Sequence, residues 1–285
     1  MKLPPFEYAS PTTLAEAIAL LAEGAGTAKA IAGGQSFLPV MAFRLAAPRL
    51  LVDLRRVPDL DRIDIDDRGV RLGAKVRWRD IEGDARLRTA HPLLQATMAH
   101  VAHYQIRNRG TVGGSLAHAD PAAEMPGIAV TCDAQLVLAG SSGTRVVPAA
   151  DFFVGVLSTG LADDELIVEI RLPPWPAKRR WAFEEFALRR GDFALAGIAA
   201  FYDEDAFGRA RNAHIGVIGA CNRPHRLAQA EAALNGRVID AAAIQSAAEA
   251  ASAAVDPPGD LHASAAYRRS LVGTLLDRAL RQASK

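Results

Sequence analysis

Two cysteines in 285 residues, Cys132 and Cys221, are too few and too far apart for a disulfide framework and read as reduced, buried thiols. They are also too few for an iron–sulfur cluster, which takes about four thiolates. Any cluster exchanging electrons with this chain therefore sits on another polypeptide. No stretch approaches the roughly eighteen consecutive apolar residues of a membrane span, and the opening MKLPPFEYASPTT has no apolar core of signal-peptide length. The expectation is a soluble, cytoplasmic chain with no membrane insertion. Charge of one sign is missing as well. Lys and Arg number 33 against 32 Asp and Glu, a formal net charge of +1, which gives no field to recruit nucleic acid. No Gly-x-Ser-x-Gly elbow or P-loop points to a hydrolase or kinase. His100 and His103 fall on one face of an expected helix and His118 follows, but no third Cys or carboxylate stands at ligand spacing, so no metal site is expected.

What is present is an ordinary globular composition, half apolar and 23% charged, on a chain long enough for two or three compact units. Two glycine stretches stand out. One is Ala32-Gly33-Gly34-Gln35-Ser36; the other is Thr111-Val112-Gly113-Gly114-Ser115, inside RNRGTVGGSLAHADPAAEMP. Glycines let a backbone approach an anion closely and turn successive N–H groups toward one point, so each stretch reads as a phosphate seat and the pair as seats for two phosphates. Gly24-Ala25-Gly26 is not a Rossmann fingerprint, because a helix precedes it and Lys29 stands where a small residue is needed.

In chain order, Thr13 to Glu16 forms a capping box and the spacing predicts a helix over 13–23. A strand over 29–32 delivers the first glycine turn, Ser36 caps a short helix that tolerates Pro39 in its first turn, and a strand follows over 50–54. A second unit begins near Asp59, with a strand at 70–76, a short helix over 78–84, and a longer helix from His91-Pro92 to Tyr104 that runs into the second glycine stretch. A helix at 121–131 follows, with Asp120 as its N-cap, then two strands about Ser141-Ser142-Gly143 and another over 165–172. Pro173-Pro174-Trp175-Pro176 marks the next boundary. Beyond it, strands at 180–188, 196–202 and 211–219 precede Ala-rich helices near 225–234, 239–254 and 264–283, which makes this unit α+β.

AGGQS at 32–36, RNRGTVGGSLAHADPAAEMP at 107–126, Arg189-Arg190-Gly191-Asp192-Phe193-Ala194, and Ala265-Ala266-Tyr267-Arg268-Arg269 together resemble the FAD-binding medium subunit of molybdenum hydroxylases, the carbon monoxide dehydrogenase and xanthine dehydrogenase family. The resemblance covers nearly the whole chain. It implies an α+β architecture: a two-part FAD-binding domain of the PCMH type (small α/β unit 1–56, larger α+β unit 57–174) and a C-terminal unit over 175–285 with a three-stranded antiparallel sheet and a three-helix bundle. It implies FAD between the first two units, its diphosphate on the backbone of Ala32, Gly33, Gly34, Gln35 and Ser36 on one side and Thr111, Val112, Gly113, Gly114 and Ser115 on the other.

The resemblance further implies that Glu124 hydrogen-bonds the cofactor. Ile167 packs on the flavin or is plain strand core. The loop with Asp192 and Phe193 guards the flavin face or is a solvated turn, and Arg107 and Arg109 balance diphosphate charge or meet a partner. The implied assembly is a heterotrimer, or a dimer of it, with a small subunit holding two [2Fe-2S] clusters and a large molybdopterin subunit. Other readings of the same fold are a cofactor-free structural or regulatory module and a stand-alone FAD oxidase.

Overall fold

The computed structural model describes residues 2–285. Three strands, Glu7–Ala9, Ala28–Ile31 and Leu50–Asp53, form a parallel sheet with Leu50–Asp53 in the centre, pairing Glu7 and Ala28 with Leu50. The helix Leu14–Glu23 crosses between the first two strands. Half of the expected capping box forms: the Thr13 hydroxyl accepts from the Glu16 N–H at 3.1 Å, whereas the Glu16 carboxylate accepts from the Thr12 N–H at 2.8 Å and not from Thr13. Ala17 and Leu21, one turn apart, are buried with Ala28, Val52 and Leu54. The edge strand Glu7–Ala9 has only three residues and no period to betray it.

The second unit is a five-stranded antiparallel sheet in the order Ile63–Asp66, Gly69–Gly73, Leu166–Leu172, Gln135–Gly140, Gly143–Pro148. Its middle strand is the last to arrive in the chain and pairs Ile170 with both Leu72 and Leu136. Between the two hairpins, residues 78–131 make a helical layer, and Leu93, Leu94, Met98, Leu116, Met125 and Ile128 close the core against Val70, Leu72, Leu136 and Leu138. Cys132 is buried here and Cys221 in the third unit, and burial pushes both thiols up, which leaves them inert.

The expected single helix from Pro92 to Tyr104 is two. Pro92–Met98 begins with His91 as cap, whose Nδ1 accepts from the Leu94 N–H at 3.2 Å, and a second helix spans Tyr104–Arg107. Between them Ala102 turns left-handed at φ 44°, and the Arg107 guanidinium donates to the carbonyls of Val101 and Ala102 at 3.1 and 2.9 Å, which satisfies two groups of the connecting bend. Because the helix ends at Met98, His100 and His103 share no helix face.

The third unit has four antiparallel strands rather than three: Arg180–Phe186, Ala196–Glu204, Ala210–Ile218 and a two-residue edge, His225–Arg226. That edge lies inside the stretch expected as helix, which instead starts at Ala228. Helices Ala228–Leu234, Ala241–Ala254 and Ala265–Ala283 cover one face, their alanines letting the axes pack closely. The opposite face, with Phe183, Phe201 and Ile218, joins the core of the second unit.

Candidate cofactor-binding site

Both glycine stretches come to one place. Gly33 packs so tightly on the other stretch that a Cβ there would overlap the Arg109 carbonyl and lie 3.0 Å from the Gly110 Cα. Gly34 has φ 72°, a left-handed conformation that costs an ordinary residue about 1–2 kcal/mol. This bend leads into the helix Phe37–Ala42, and from Gly33 to Phe37 no backbone N–H finds an acceptor among the described residues. Ser36 occupies the cap position but its hydroxyl makes no cap bond, a correction to the expected cap. Gln35 folds its amide back onto the Gly33 carbonyl at 3.1 Å. Five consecutive unpaired donors at a helix start form a seat for an anion.

The second stretch is built differently from the expected Gly-Gly turn. Val112, Gly113, Gly114 and Ser115 form the first turn of the helix Val112–His118. The Val112 and Gly113 N–H groups donate to the carbonyls of Val76 and Ala74 at 2.9 and 2.8 Å, which sews the loop to the sheet. The Gly114 N–H donates to the Thr111 hydroxyl at 3.2 Å, and the Ser115 N–H donates to the Thr111 carbonyl. Gly113 is therefore glycine because its Cα abuts Ala74. What this side offers a ligand is the Thr111 N–H and the hydroxyls of Thr111 and Ser115.

Between the two stretches opens a groove of about 510 Å³, lined by Ala32, Gly33 and Thr111 and by Arg55, Lys75, Arg77, Arg79 and Arg109 against Asp61 and Asp80. The sequence reading missed most of these cations. Arg77 arrives through a bridge to Thr111, 34 positions later in the chain, that no local pattern announces.

Glu124 opens the helix Glu124–Thr131 and is only 7% exposed. Burial, helped by Asp120, pushes its carboxyl up to about 7. Asp120 is not the helix cap: its carboxylate accepts from the Ala122 N–H at 2.9 Å in a local turn, and Ala123 holds the cap position. Glu185, on the strand Arg180–Phe186, has a buried oxygen with no partner, and its other oxygen lies 3.8 Å from His100 Nδ1. Burial and Glu124 push Glu185 up to about 8. Nothing in the sequence marked this second buried acid. Among the described residues no three His, Cys, Asp or Glu converge as metal ligands.

Ile167 is 5% exposed inside the core of the second unit. Asp192 and Phe193 project from the turn after Arg180–Phe186, where Gly191 lies against Ala102 and the Phe193 ring is 64% exposed. Arg107, a candidate for diphosphate charge, is held by Glu82 at 3.0 Å and does not line the groove, whereas Arg109 does. Arg268 is buried beneath this region. It donates to the Leu195 and Gly219 carbonyls at 2.7 and 3.2 Å and to Asp260 at 2.6 Å, which ties the last helix to the strand that follows Phe193.

Two family models divide the chain between them. Residues 4–175 match the FAD binding domain in molybdopterin dehydrogenase, and residues 181–283 match the CO dehydrogenase flavoprotein C-terminal domain. Fold and site thus define an α+β flavoprotein. The nicotine 6-hydroxylase medium subunit of Paenarthrobacter nicotinovorans is 39% identical over 283 residues, covering 99% of both chains. The carbon monoxide dehydrogenase medium chain of Hydrogenophaga pseudoflava is 35% identical, covering 98% of this chain and 97% of its own. The structure of quinoline 2-oxidoreductase from Pseudomonas putida 86 superposes with a TM-score of 0.94 at 40% identity, covering 100% of this chain and 98% of the other. The chain belongs to the FAD-binding medium subunits of the molybdenum hydroxylases, an oxidoreductase family. No helix among the described residues is long and apolar enough to cross a membrane.

Proposed function

We propose that this chain relays electrons inside a three-subunit molybdenum hydroxylase, from two [2Fe-2S] clusters on a small subunit, fed by a molybdopterin subunit, to an external acceptor. The observation that carries the reading is the run of unpaired N–H groups from Gly33 to Phe37, which begins at a basic groove that Gly33 and Thr111 both line. These donors fit the diphosphate of FAD, and the hydroxyls of Ser36, Thr111 and Ser115 add to them. FAD, when bound, supplies the exchange between one-electron and two-electron chemistry. The chain binds and orients it. Ala32 to Ser36 take one side of the diphosphate and Thr111 to Ser115 the other, with Val112, Gly113 and Gly114 shaping the seat. Glu124, about half protonated at neutral pH, is placed to donate as well as accept a hydrogen bond. Ile167 backs the flavin end, and Asp192 and Phe193 screen the side an acceptor reaches.

The units at 1–56, 57–174 and 175–285 divide the work accordingly, the first two closing on the cofactor and the third carrying the screening loop. Two buried, unpaired thiols favour the reducing cytoplasm. The test is reconstitution. The FAD-loaded chain alone should oxidise no organic substrate, and adding the small and large subunits should let substrate bleach its flavin absorption. Substrate oxidation by the isolated chain would overturn the relay.

A further inference from the structure

We propose that Arg77 and Arg109 are the electrostatic half of the cofactor seat: their guanidinium groups neutralise the FAD diphosphate that the backbone N–H groups of Gly33 to Phe37 position. The inference rests on the FAD reading above and names which side chains recognise the anionic part of the ligand.

Not all five cations of the groove are equally available. Arg55 is held by the buried Asp53 carboxylate at 2.6 Å, and Lys75 donates its ammonium to the carbonyls of Arg55 and Val57. Arg79 lies 3.5 Å from Asp80. Asp80 takes only the backbone N–H of Arg77, at 3.0 Å; among the described residues neither the Arg77 nor the Arg109 guanidinium has a carboxylate oxygen within 4.0 Å or donates a hydrogen bond. A groove that collects five cations and leaves two guanidinium groups without an anionic partner is suited to a dianion.

Their anchoring is equally specific. Arg77 is bridged backbone to backbone with Thr111: the Val112 N–H donates to the Val76 carbonyl at 2.9 Å and the Trp78 N–H to the Gly110 carbonyl at 3.3 Å. Arg109 presses its carbonyl onto Gly33. Each arginine thus springs from a residue in direct contact with a glycine stretch, one tied to the second stretch and one packed on the first. Both side chains are exposed, so their attraction for an anion is screened by salt, whereas hydrogen bonds from a fixed backbone are screened less.

The experiment measures FAD affinity of the full-length apo chain by flavin fluorescence, at low and high salt, for wild type, Arg77→Gln, Arg109→Gln and the double variant, with Arg77→Lys as the charge-conserving control. A hydrogen bond to a charged group at the weak end of its range predicts a Kd about tenfold higher for each single variant at low salt. The double variant should lose most of the salt dependence, and Arg77→Lys should retain it. Melting curves of the apo chains should coincide. Wild-type affinity in the double variant, or a weakened affinity with an unchanged salt slope, overturns the inference. Failure of the wild type to bind FAD would instead strike the underlying function. The two failures are therefore distinguishable.

Discussion

Gly33 and Arg109 meet backbone against backbone, with the Arg109 carbonyl oxygen occupying the space a Cβ at position 33 would need. This contact locks the parallel sheet of the first unit onto the loop that leads into Thr111, and so sets the width of the seat between them. Gly33→Ala should force the stretches apart at an overpacking cost of about 1–3 kcal/mol. The purified variant should fold, melt a few degrees lower and hold well under one FAD per chain. Full flavin content with unchanged affinity would show that the contact does not shape the seat.

The buried acids give the chain a pH signature. The folded Glu124 carboxyl stands at about 7 against an ordinary value of 4.5, so between those values the native state holds a proton that the unfolded state has released. Stability from this group therefore declines as pH rises from 4.5 to 7, and the penalty is complete above 7. Glu185, at about 8, extends the window upward. Glu124→Gln should raise the melting temperature of the apo chain above pH 7, by up to about 3 kcal/mol in stability, with no gain below pH 4.5. A gain that is the same at all pH values would mean that ionisation is not the cause.

Phe193 separates binding from acceptor access. Its ring is 64% exposed, so Phe193→Ala should change stability by less than about 0.5 kcal/mol and leave FAD bound. In the assembled complex, stopped-flow reoxidation by oxygen or bulky acceptors should accelerate while reduction by the organic substrate is unchanged. Equal reoxidation rates with every acceptor would make the loop a solvated turn.

Arg268 explains the AAYRR motif structurally. Its buried guanidinium satisfies two carbonyls that flank different strands, those of Leu195 and Gly219, and pairs with Asp260, so Arg268→Met leaves the two carbonyls unpaired in the interior. A loss of about 3 kcal/mol in denaturant unfolding is expected, with flavin retained by the folded fraction. A neutral substitution would place the brace elsewhere.

Much of the fold was legible because its signals are local. The Thr13 cap, the hairpin about Ser141 and Ser142 and the long alanine-rich helices each carry their own period or punctuation. What escaped was decided at a distance. Arg107 holds the Val101 and Ala102 carbonyls of the bend between two short helices, a contact no periodicity records. The edge strand His225–Arg226 exists only because Ala210–Ile218 offers it partners. At the site, both glycine stretches were visible, yet only the tertiary structure shows that the first leaves its amides open while the second gives two of them to Val76 and Ala74. Valine at Gly113 would strike Ala74 and so probe the fold rather than the cofactor. The basic groove was invisible for the same reason: Arg55, Arg77 and Arg109 converge from three separate stretches of an almost neutral chain.

The central claim is that the two glycine stretches seat one FAD, and its direct test is a titration of FAD into the apo chain, with bound flavin counted by absorbance and Gly34→Ala run alongside. The account predicts saturation at one FAD per wild-type chain and weaker binding by the variant, because the left-handed bend at Gly34 is what aligns the open amides from Gly33 to Phe37. A wild-type chain that is folded, stays colourless and takes up no FAD would contradict it.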